Sequence, residues 1–493
     1  MSFLKRAGSV CTDLVTGRRP IWNLFNSCRT VRVAVIGGKD CGKTVFLAAL
    51  ASHLRHHRKS VFSLRGGTLQ VHWERGAIVG DKLDGLPLFD YKSARWRLSH
   101  GQWPEKTKDT TVLALRLLLE DSESKTQEHV QLEVLDLPGE RVADFSMMGR
   151  SYDDWCRWRE ESLSGANGTS PHYQNYLEAV MNIGADNEAA LLDAYRDFMA
   201  AEYGHFSPDI TPSTVKLGMD GQRRGGTPDA FRAAIGDVPL GFADADGKVC
   251  EFVPLPTACL ANGSPFRALA KKFSHAYDMY VKRVVKPMEN WLGDAEKLFY
   301  LVDVLTLLRA GPDAWDAEKQ NAEAAIAALC PHAGGVFDRM WRWAKGVFWK
   351  PQINAVYVVA TKSDLVVGSA NRSNMRRLAS ELVANTLPFL APEIKTTSLS
   401  CAAVRSTEEV EGGKKGERGL RGIVETSPRS EPEVVSWIPP DVPAELPASP
   451  DDWRARIAAG EFDYHRAFPA FSTASSFSPP HLGLDALANE MLA

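Results

Sequence analysis

The sequence predicts an α/β fold: a mostly parallel sheet with one antiparallel strand, interrupted by a large, mainly helical insertion. Three observations predict it. A buried strand runs into a glycine-rich loop and then a helix. A hairpin-like pair of apolar strands follows. Later buried strands then alternate with helical patterns, the signature of parallel pairing.

Taken in order, residues 31–36 (VRVAVI) are a continuous apolar run bounded by Gly37 and Gly38, and read as a buried strand. A helical pattern begins at Lys43 and ends near Leu54, and a polar, Gly-rich stretch leads on to residue 109. Residues 111–119 (TVLALRLLL) and 130–136 (VQLEVLD) read as two strands joined by a charged turn. Residues 299–305 (FYLVDVL) and 354–360 (NAVYVVA) read as two more, with a shorter strand at 396–400. Helical patterns at 317–329 and 374–387 separate them. Between residues 145 and 297 strand signals are few. Phe266, Leu269, Phe273, Tyr277, Tyr280 and Val284 step by three or four along one helix face, 183–203 shows similar spacing, and a small β element is expected around 247–254. Residues 406–453 join a charged, Gly-rich half (EEVEGGKKGERGLRG) to a Pro-rich half, which reads as a flexible insertion. Residues 454–493 close the chain, with an amphipathic helix at 482–492 expected to pack on the core, and residues 1–30 form an N-terminal extension.

Composition narrows the class. With 493 residues, 44% hydrophobic and 24% charged, the chain is not a mostly disordered one. A net charge of −3 argues against a nucleic-acid partner. No apolar run approaches the ~18 residues that span a bilayer, and no apolar segment follows Lys5, Arg6, Arg18 and Arg19, so no secretory signal is expected. The eight cysteines include no CxxC pair, which speaks against a zinc site or a disulfide framework and fits a reducing, cytoplasmic setting.

The chemistry sits at strand ends. Gly37-Gly38-Lys39-Asp40-Cys41-Gly42-Lys43-Thr44 matches G-x-x-x-x-G-K-[ST], between a strand and a helix. Glycines let the backbone wrap a phosphate, successive N–H groups point inward, and the helix N-terminus adds partial positive charge. Lys43 is the expected catalytic cation for the β- and γ-phosphates and Thr44 a Mg2+ ligand; Val45 completes the stretch expected around the nucleotide. Asp136-Leu137-Pro138-Gly139 ends a strand: Asp136 is placed to hold Mg2+ through water, and the Gly139 N–H to sense a γ-phosphate. Thr361-Lys362-Ser363-Asp364 follows NAVYVVA and matches [NT]-K-x-D: a carboxylate there accepts from guanine N1–H and N2–H2, which adenine cannot supply, while the lysine stem covers the base. Ser400-Cys401-Ala402-Ala403 follows the last strand, and its backbone, taken as Ala402, Ala403 and Val404, is expected to meet guanine O6. A second Mg2+-binding threonine is expected before the second strand: Thr107 is preferred, Thr110 second, with Thr111 beside it. A mobile loop there would order around a γ-phosphate.

These motifs define a P-loop NTPase core that is discontinuous, 31–144 and 298–405, with 145–297 inserted into it. A prior of about three domains in series for this length therefore fails.

The chain also resembles the YcjX-like family of bacterial P-loop NTPases, associated with stress. The resemblance rests on Gln102-Trp103-Pro104-Glu105-Lys106-Thr107, DLPGERVADFSMM (136–148), YVKRVVKP (280–287), LVDVL (301–305), ATKSD (360–364), AAVRST (402–407) and PPHLGLD (479–485). It implies a Ras-like GTPase core with inserted helical segments, binding of GDP and GTP, and Trp103 near the nucleotide. The departures are the loop's middle, Gly38-Lys39-Asp40-Cys41, where the family carries Ser and Arg, and Arg141, where an aromatic is common.

Glu140 follows Gly139 where many GTPases place a Gln. A carboxylate accepts from water but does not donate to the γ-phosphate, so slow hydrolysis is expected. Arg141 and Arg150 lie nearby as finger candidates, though a salt-bridged surface role is preferred for them. Weaker features read more plainly. His53, His56 and His57 suggest a solvated helix face rather than a metal site. The basic helix at 266–284 suggests core packing rather than peripheral membrane contact. The aromatic cluster Trp341, Trp343, Phe348 and Trp349 suggests a packed helix rather than a protein-partner site, and Cys41 is weighed as a redox-sensitive thiol. The reading is a Mg2+-dependent GTP/GDP-binding protein with slow GTP hydrolysis. The alternatives are a P-loop ATPase and a non-hydrolysing nucleotide-dependent scaffold for an unknown protein partner.

Overall fold

The computed structural model describes residues 28–38, 40–56, 62–76, 78, 80–105, 109–163, 171–203, 212–215, 227–243, 248–330, 352–411, 418–424, 433–469 and 478–493. Chain order begins with β1 (Cys28–Gly37), α1 (Lys43–Arg55), β2 (Leu69–Trp73) and α2 (Tyr91–Ser99), then β3 (Thr111–Asp121) and β4 (Gln127–Asp136). A 3-10 segment, Gly139–Met147, leads into α3 (Tyr152–Leu163), α4 (Pro171–Ile183), α5 (Glu188–Tyr203), α6 (Pro228–Ala234), the short strands β5 (Gly241–Ala243) and β6 (Val249–Glu251), α7 (Arg267–Tyr280) and α8 (Lys286–Gly293). The sheet resumes with β7 (Lys297–Val302), followed by α9 (Val304–Ala310), α10 (Pro312–Leu329), β8 (Ala355–Ala360), α11 (Gly368–Glu381) and β9 (Lys395–Ser400). Last come β10 (Thr407–Glu411), β11 (Arg418–Val424), β12 (Glu433–Trp437), α12 (Pro450–Ala458), β13 (Ala467–Phe468) and α13 (Leu484–Leu492).

The main sheet has the order β9-β8-β7-β1-β4-β3-β2. Strands β9, β8, β7, β1 and β4 are parallel; β3 is antiparallel to β4, and β2 antiparallel to β3. Only β3 therefore runs against the rest, as the alternation predicted. Strand alternation divides the core. Val31, Val33 and Val35 face α1 and α13, while Ala34 and Ile36 face the inserted helices and α9–α11. The insertion has its own aromatic centre, where Trp155 lies 5.4 Å from Tyr277 and 5.7 Å from Phe252, ring centre to ring centre. Tyr152 and Tyr176 are buried there and donate to the carbonyls of Val253 (2.7 Å) and Pro254 (2.6 Å), so neither hydroxyl is stranded. The helix read at 266–284 packs its apolar face, Phe273, Tyr277 and Tyr280, fully inside, ruling out a lipid-facing role for that stripe.

Three expectations differ from the structure. The polar stretch before residue 109 holds β2, a five-residue edge strand. The strand read at 299–305 stops at Val302, because Asp303 caps α9 by accepting from the Thr306 N–H at 3.1 Å. The stretch 406–453, read as flexible, contains an antiparallel sheet of β10, β11 and β12, with β13 pairing on β11. Gly419 and Gly422 on β11 are packing residues: a Cβ on Gly419 would come within 2.8 Å of the Trp437 carbonyl. Among the described residues no helix is long and apolar enough to cross a membrane. The Trp341–Trp349 cluster lies outside the described residues.

Candidate functional site

Register brings the motifs to one edge. Val35 pairs with Asp136, Gly37 with Leu301, Ala360 with both Val302 and Ser400. The loops after β1, β4, β7, β8 and β9 therefore all leave from the carboxyl ends of parallel strands, where open α/β sheets bind ligands.

The loop after β1 turns on three unusual residues. Gly37 has φ 149° and lies so close to β7 that a Cβ would run into the Leu301 carbonyl. Asp40 adopts φ 62°, left-handed but tolerated by aspartate. Gly42, at φ 95°, starts α1 without a side-chain cap. That helix start therefore presents N–H groups to an anion. Lys43 is nearly buried, and its Nζ donates to the carbonyls of Gly37 (2.9 Å) and Gly38 (2.8 Å). This holds one positive charge in the curl of the loop. Thr44 and Val45 form the first turn of α1. Lys39 lies outside the described residues. Cys41 is buried, its Sγ 3.7 Å from the Lys43 Nζ. Burial pushes its thiol pKa up, outweighing the lysine's pull downward. Cys41 is therefore a packed thiol whose ionisation is disfavoured, which speaks against the redox reading.

Asp136 is fully buried at the end of β4. Directly across from it on β3 stands Thr111, whose hydroxyl is buried with no hydrogen-bond partner among the described residues. A buried carboxylate, an unsatisfied hydroxyl and the Thr44 hydroxyl are hard oxygen donors, the set that suits Mg2+. Thr107 lies outside the described residues; Thr110 is half-buried beside Thr111. Trp103 turns its indole N–H to the Ala467 carbonyl at 3.3 Å, so its polar atom is engaged with β13.

Gly139 opens the 3-10 segment and Glu140 is half-buried on its first turn. Arg141 is not at the surface. At 12% exposure it lies 3.5 Å from Asp144 and donates to Ser213 at 2.8 Å, which corrects the surface role. Asp144 is fully buried and accepts from Ser213 N (2.9 Å), Ser213 Oγ (2.6 Å) and Tyr280 OH (2.8 Å). This network ties the segment after Asp136 to α7 of the insertion. Arg150 donates to the Ser146 carbonyl at 2.6 Å and lies over Trp158.

On the opposite side, Asp364 is buried and its Oδ2 accepts from both Ser406 N and Ser406 Oγ at 2.7 Å. Burial raises its pKa, and the Ser406 bonds partly offset that. Lys362 sits at φ 57° and is ion-paired with Asp303. Thr361 donates from its hydroxyl to the Val302 carbonyl at 3.1 Å. Ala402 exchanges two backbone bonds of 2.9 Å with Leu482, and Arg405 N donates to the Pro480 carbonyl at 2.7 Å. Ala403 and Val404 lie between these anchors. The PPHLGLD stretch therefore buttresses this loop, and Gly483 is required there because a Cβ would reach 2.6 Å from the Ser400 carbonyl.

Three residues of the site escaped the sequence reading. Asp303 carries the same signal as Asp136, an acid at a strand end. Ser406 lies in AAVRST, two residues beyond the loop as read. Glu318, whose Oε1 lies 3.2 Å from Gly38 N, sits on an ordinary charged helix face and gave no local signal. His53 was misread as solvated: it is fully buried, bonded through Nε2 to the Pro479 carbonyl (2.9 Å) and stacked on Phe62. Among the described residues no cluster of three or more His, Cys, Asp or Glu is arranged for a metal.

A family model described as "YcjX-like family, DUF463" matches residues 31–206 and 243–493. Over 445 residues the chain is 25% identical to a protein of Escherichia coli (strain K12) named "Ras-like GTPase YcjX", spanning 85% of this chain and 87% of that protein. Over 458 residues it is 23% identical to a Shewanella oneidensis protein of the same name, spanning 86% of each.

Proposed function

The chain belongs to the YcjX-like family, and from that premise we propose that it binds GTP and GDP with Mg2+ on a Ras-like P-loop core and hydrolyses GTP slowly. One observation carries the reading. GGKDCGKT, DLPG and TKSD stand at the carboxyl ends of β1, β4 and β8, strands of one parallel array with aligned ends. The names of the two relatives support guanine nucleotide as the ligand.

On this reading the amides of residues 38–44 and Lys43 hold the phosphates. Thr44, Asp136 and a threonine of the loop before β3, Thr107 or Thr110, would hold Mg2+. Held there, the metal would supply positive charge to neutralise the phosphates. The Gly139 N–H meets the γ-phosphate. Glu140 accepts a hydrogen bond from the attacking water but has no amide to donate, which keeps hydrolysis slow. Asp364 receives the guanine N–H groups while Ser406 holds its Oδ2 in place. Lys362, fixed by Asp303, lays its stem along the base. Backbone from Ala402 to Val404 lines the base's oxygen edge. The Asp144 network offers a route from the γ-phosphate sensor to the inserted helices, which fits a nucleotide-switched protein.

Equilibrium titration with fluorescent GDP, GTP analogue, ADP and ATP tests the reading. Wild type is expected to prefer guanine and Asp364→Ala to lose that preference while keeping phosphate affinity. Equal affinity for ATP and GTP would reject guanine specificity. Phosphate release is expected from wild type and not from Lys43→Ala, and equal release would reject the hydrolytic role.

A further inference from the structure

The phosphate loop already carries an anion of its own. Glu318, on the second turn of α10, places Oε1 3.2 Å from the Gly38 N, within hydrogen-bond reach. Tyr300 of β7 donates to the same oxygen at 2.9 Å. The fit depends on the missing side chain at position 38, since a Cβ there would lie 2.5 Å from Glu318 Oε2. Tyr300 is fully buried, so the carboxylate is gripped from the sheet side and faces the loop. Loop residues 37–42 also offer N–H groups, and Lys43 beyond them a cation, suited to negative ligands, while the carboxylate of Asp40 lies exposed on the outside of the loop. A fixed carboxylate among them is a charge of the wrong sign for binding another phosphate.

We propose that Glu318 is a specificity-determining residue that sets the preference between guanosine di- and triphosphate, its carboxylate opposing the terminal phosphate at the Gly38 edge of the loop. The proposal rests on the nucleotide reading above. A diphosphate leaves the carboxylate undisturbed. A triphosphate adds a like charge in a partly desolvated site, where screening is weak, and binds fully only as the carboxylate withdraws. Because α10 packs against the segment Gly139–Met147, the carboxylate is carried on the helix that lies beside the γ-phosphate sensor.

The test measures Kd for GDP and for a non-hydrolysable GTP analogue, with Mg2+, on wild type, Glu318→Gln and Gly38→Ala. Glutamine keeps the shape and can still accept from Gly38 and Tyr300, so a purely structural role would survive the change. Removal of the charge alone is expected to raise affinity for the analogue relative to GDP about 10-fold, corresponding to about 1.4 kcal/mol. Gly38 is not in the left-handed region, so alanine is tolerated by the backbone and only pushes the carboxylate end away. It is expected to shift the ratio in the same direction, and stands in if Glu318→Gln does not fold. Nucleotide binding with an unchanged ratio in the folded variants overturns the proposal alone. Failure of wild type to bind either nucleotide overturns the nucleotide reading, and this proposal with it.

Discussion

Replacement of Asp144 by alanine should loosen the segment that follows the DLPG motif, by an amount the structure allows one to work out. The carboxylate is fully buried and accepts three hydrogen bonds, from Ser213 N, Ser213 Oγ and Tyr280 OH, with the Arg141 guanidinium 3.5 Å away. Hydrogen bonds to a charged acceptor contribute about 1.5–3 kcal/mol each, but not additively. Leaving the largely buried Arg141 without its counter-charge costs about 3–5 kcal/mol. Taking the lower figure of about 3 kcal/mol, and a factor of ten for each ~1.4 kcal/mol, local opening of this segment should rise on the order of 100-fold. Hydrogen–deuterium exchange reads this directly at the amides of Arg141, Met148 and Arg150, which donate to the carbonyls of Pro138, Phe145 and Met147. Tyr280→Phe removes one bond and should accelerate exchange about tenfold, from about 1.5 kcal/mol. If Asp144→Ala changes exchange less than fivefold, the network does not hold the segment to α7, and the proposed route from nucleotide to insertion falls with it.

Other measurements follow from the same geometry. Burial raises the Asp364 pKa, so its carboxylate ionises at a higher pH than an exposed aspartate. Guanine preference over adenine should therefore fade as pH drops through that raised value. Competition of GDP with ADP across acidic pH checks it, and a preference that holds down to the ordinary aspartate range would contradict it. Leu487 is fully buried on α13, and Leu487→Ala should lower stability by about 2–5 kcal/mol in urea unfolding; a shift below about 1 kcal/mol would mean that α13 is not a fixed part of the core. Chelation of divalent cations should weaken GTP-analogue binding more than GDP binding, as the metal's charge is shared with the terminal phosphate. Equal affinities with and without chelator in a fluorescence titration would refute a metal at Thr44 and Asp136.

The sequence was most legible where chemistry and burial coincide. β8 and the carboxyl halves of β1 and β4 are buried on both faces; β1 and β4 end on Gly37 and Asp136 and β8 runs directly into Thr361, so apolar runs and motif residues announce each other. β2 was lost because LQVHW is short and set in glycine-rich surroundings. The small sheet was lost because RGLRGIV reads as linker composition, while its glycines admit a neighbouring strand. Arg141 and His53 were misjudged because their partners, Ser213 and Tyr280 or Pro479, are distant in the chain. The same distance hid Glu318: helical periodicity states which way a residue points, not which loop of another strand it meets.

The contacts of α13 bear on the order in which the molecule can be completed during synthesis. The helix packs beside β1, and Lys297 of β7 donates to the carbonyls of Glu490 (2.8 Å) and Met491 (3.0 Å). Just ahead of it, Leu482 pairs with Ala402. Elements near the beginning of the chain emerge from the ribosome long before these partners exist. A nascent chain that has not reached residue 484 leaves the Val31–Val33–Val35 face of β1 short of its cover and the loop after β9 without its full buttress. Such a chain exposes apolar sheet surface of the kind chaperones and proteases recognise. The contacts of α13 therefore tie the strand that begins the sheet to residues more than 450 positions away, so that the face of β1 is fully covered only once both are present.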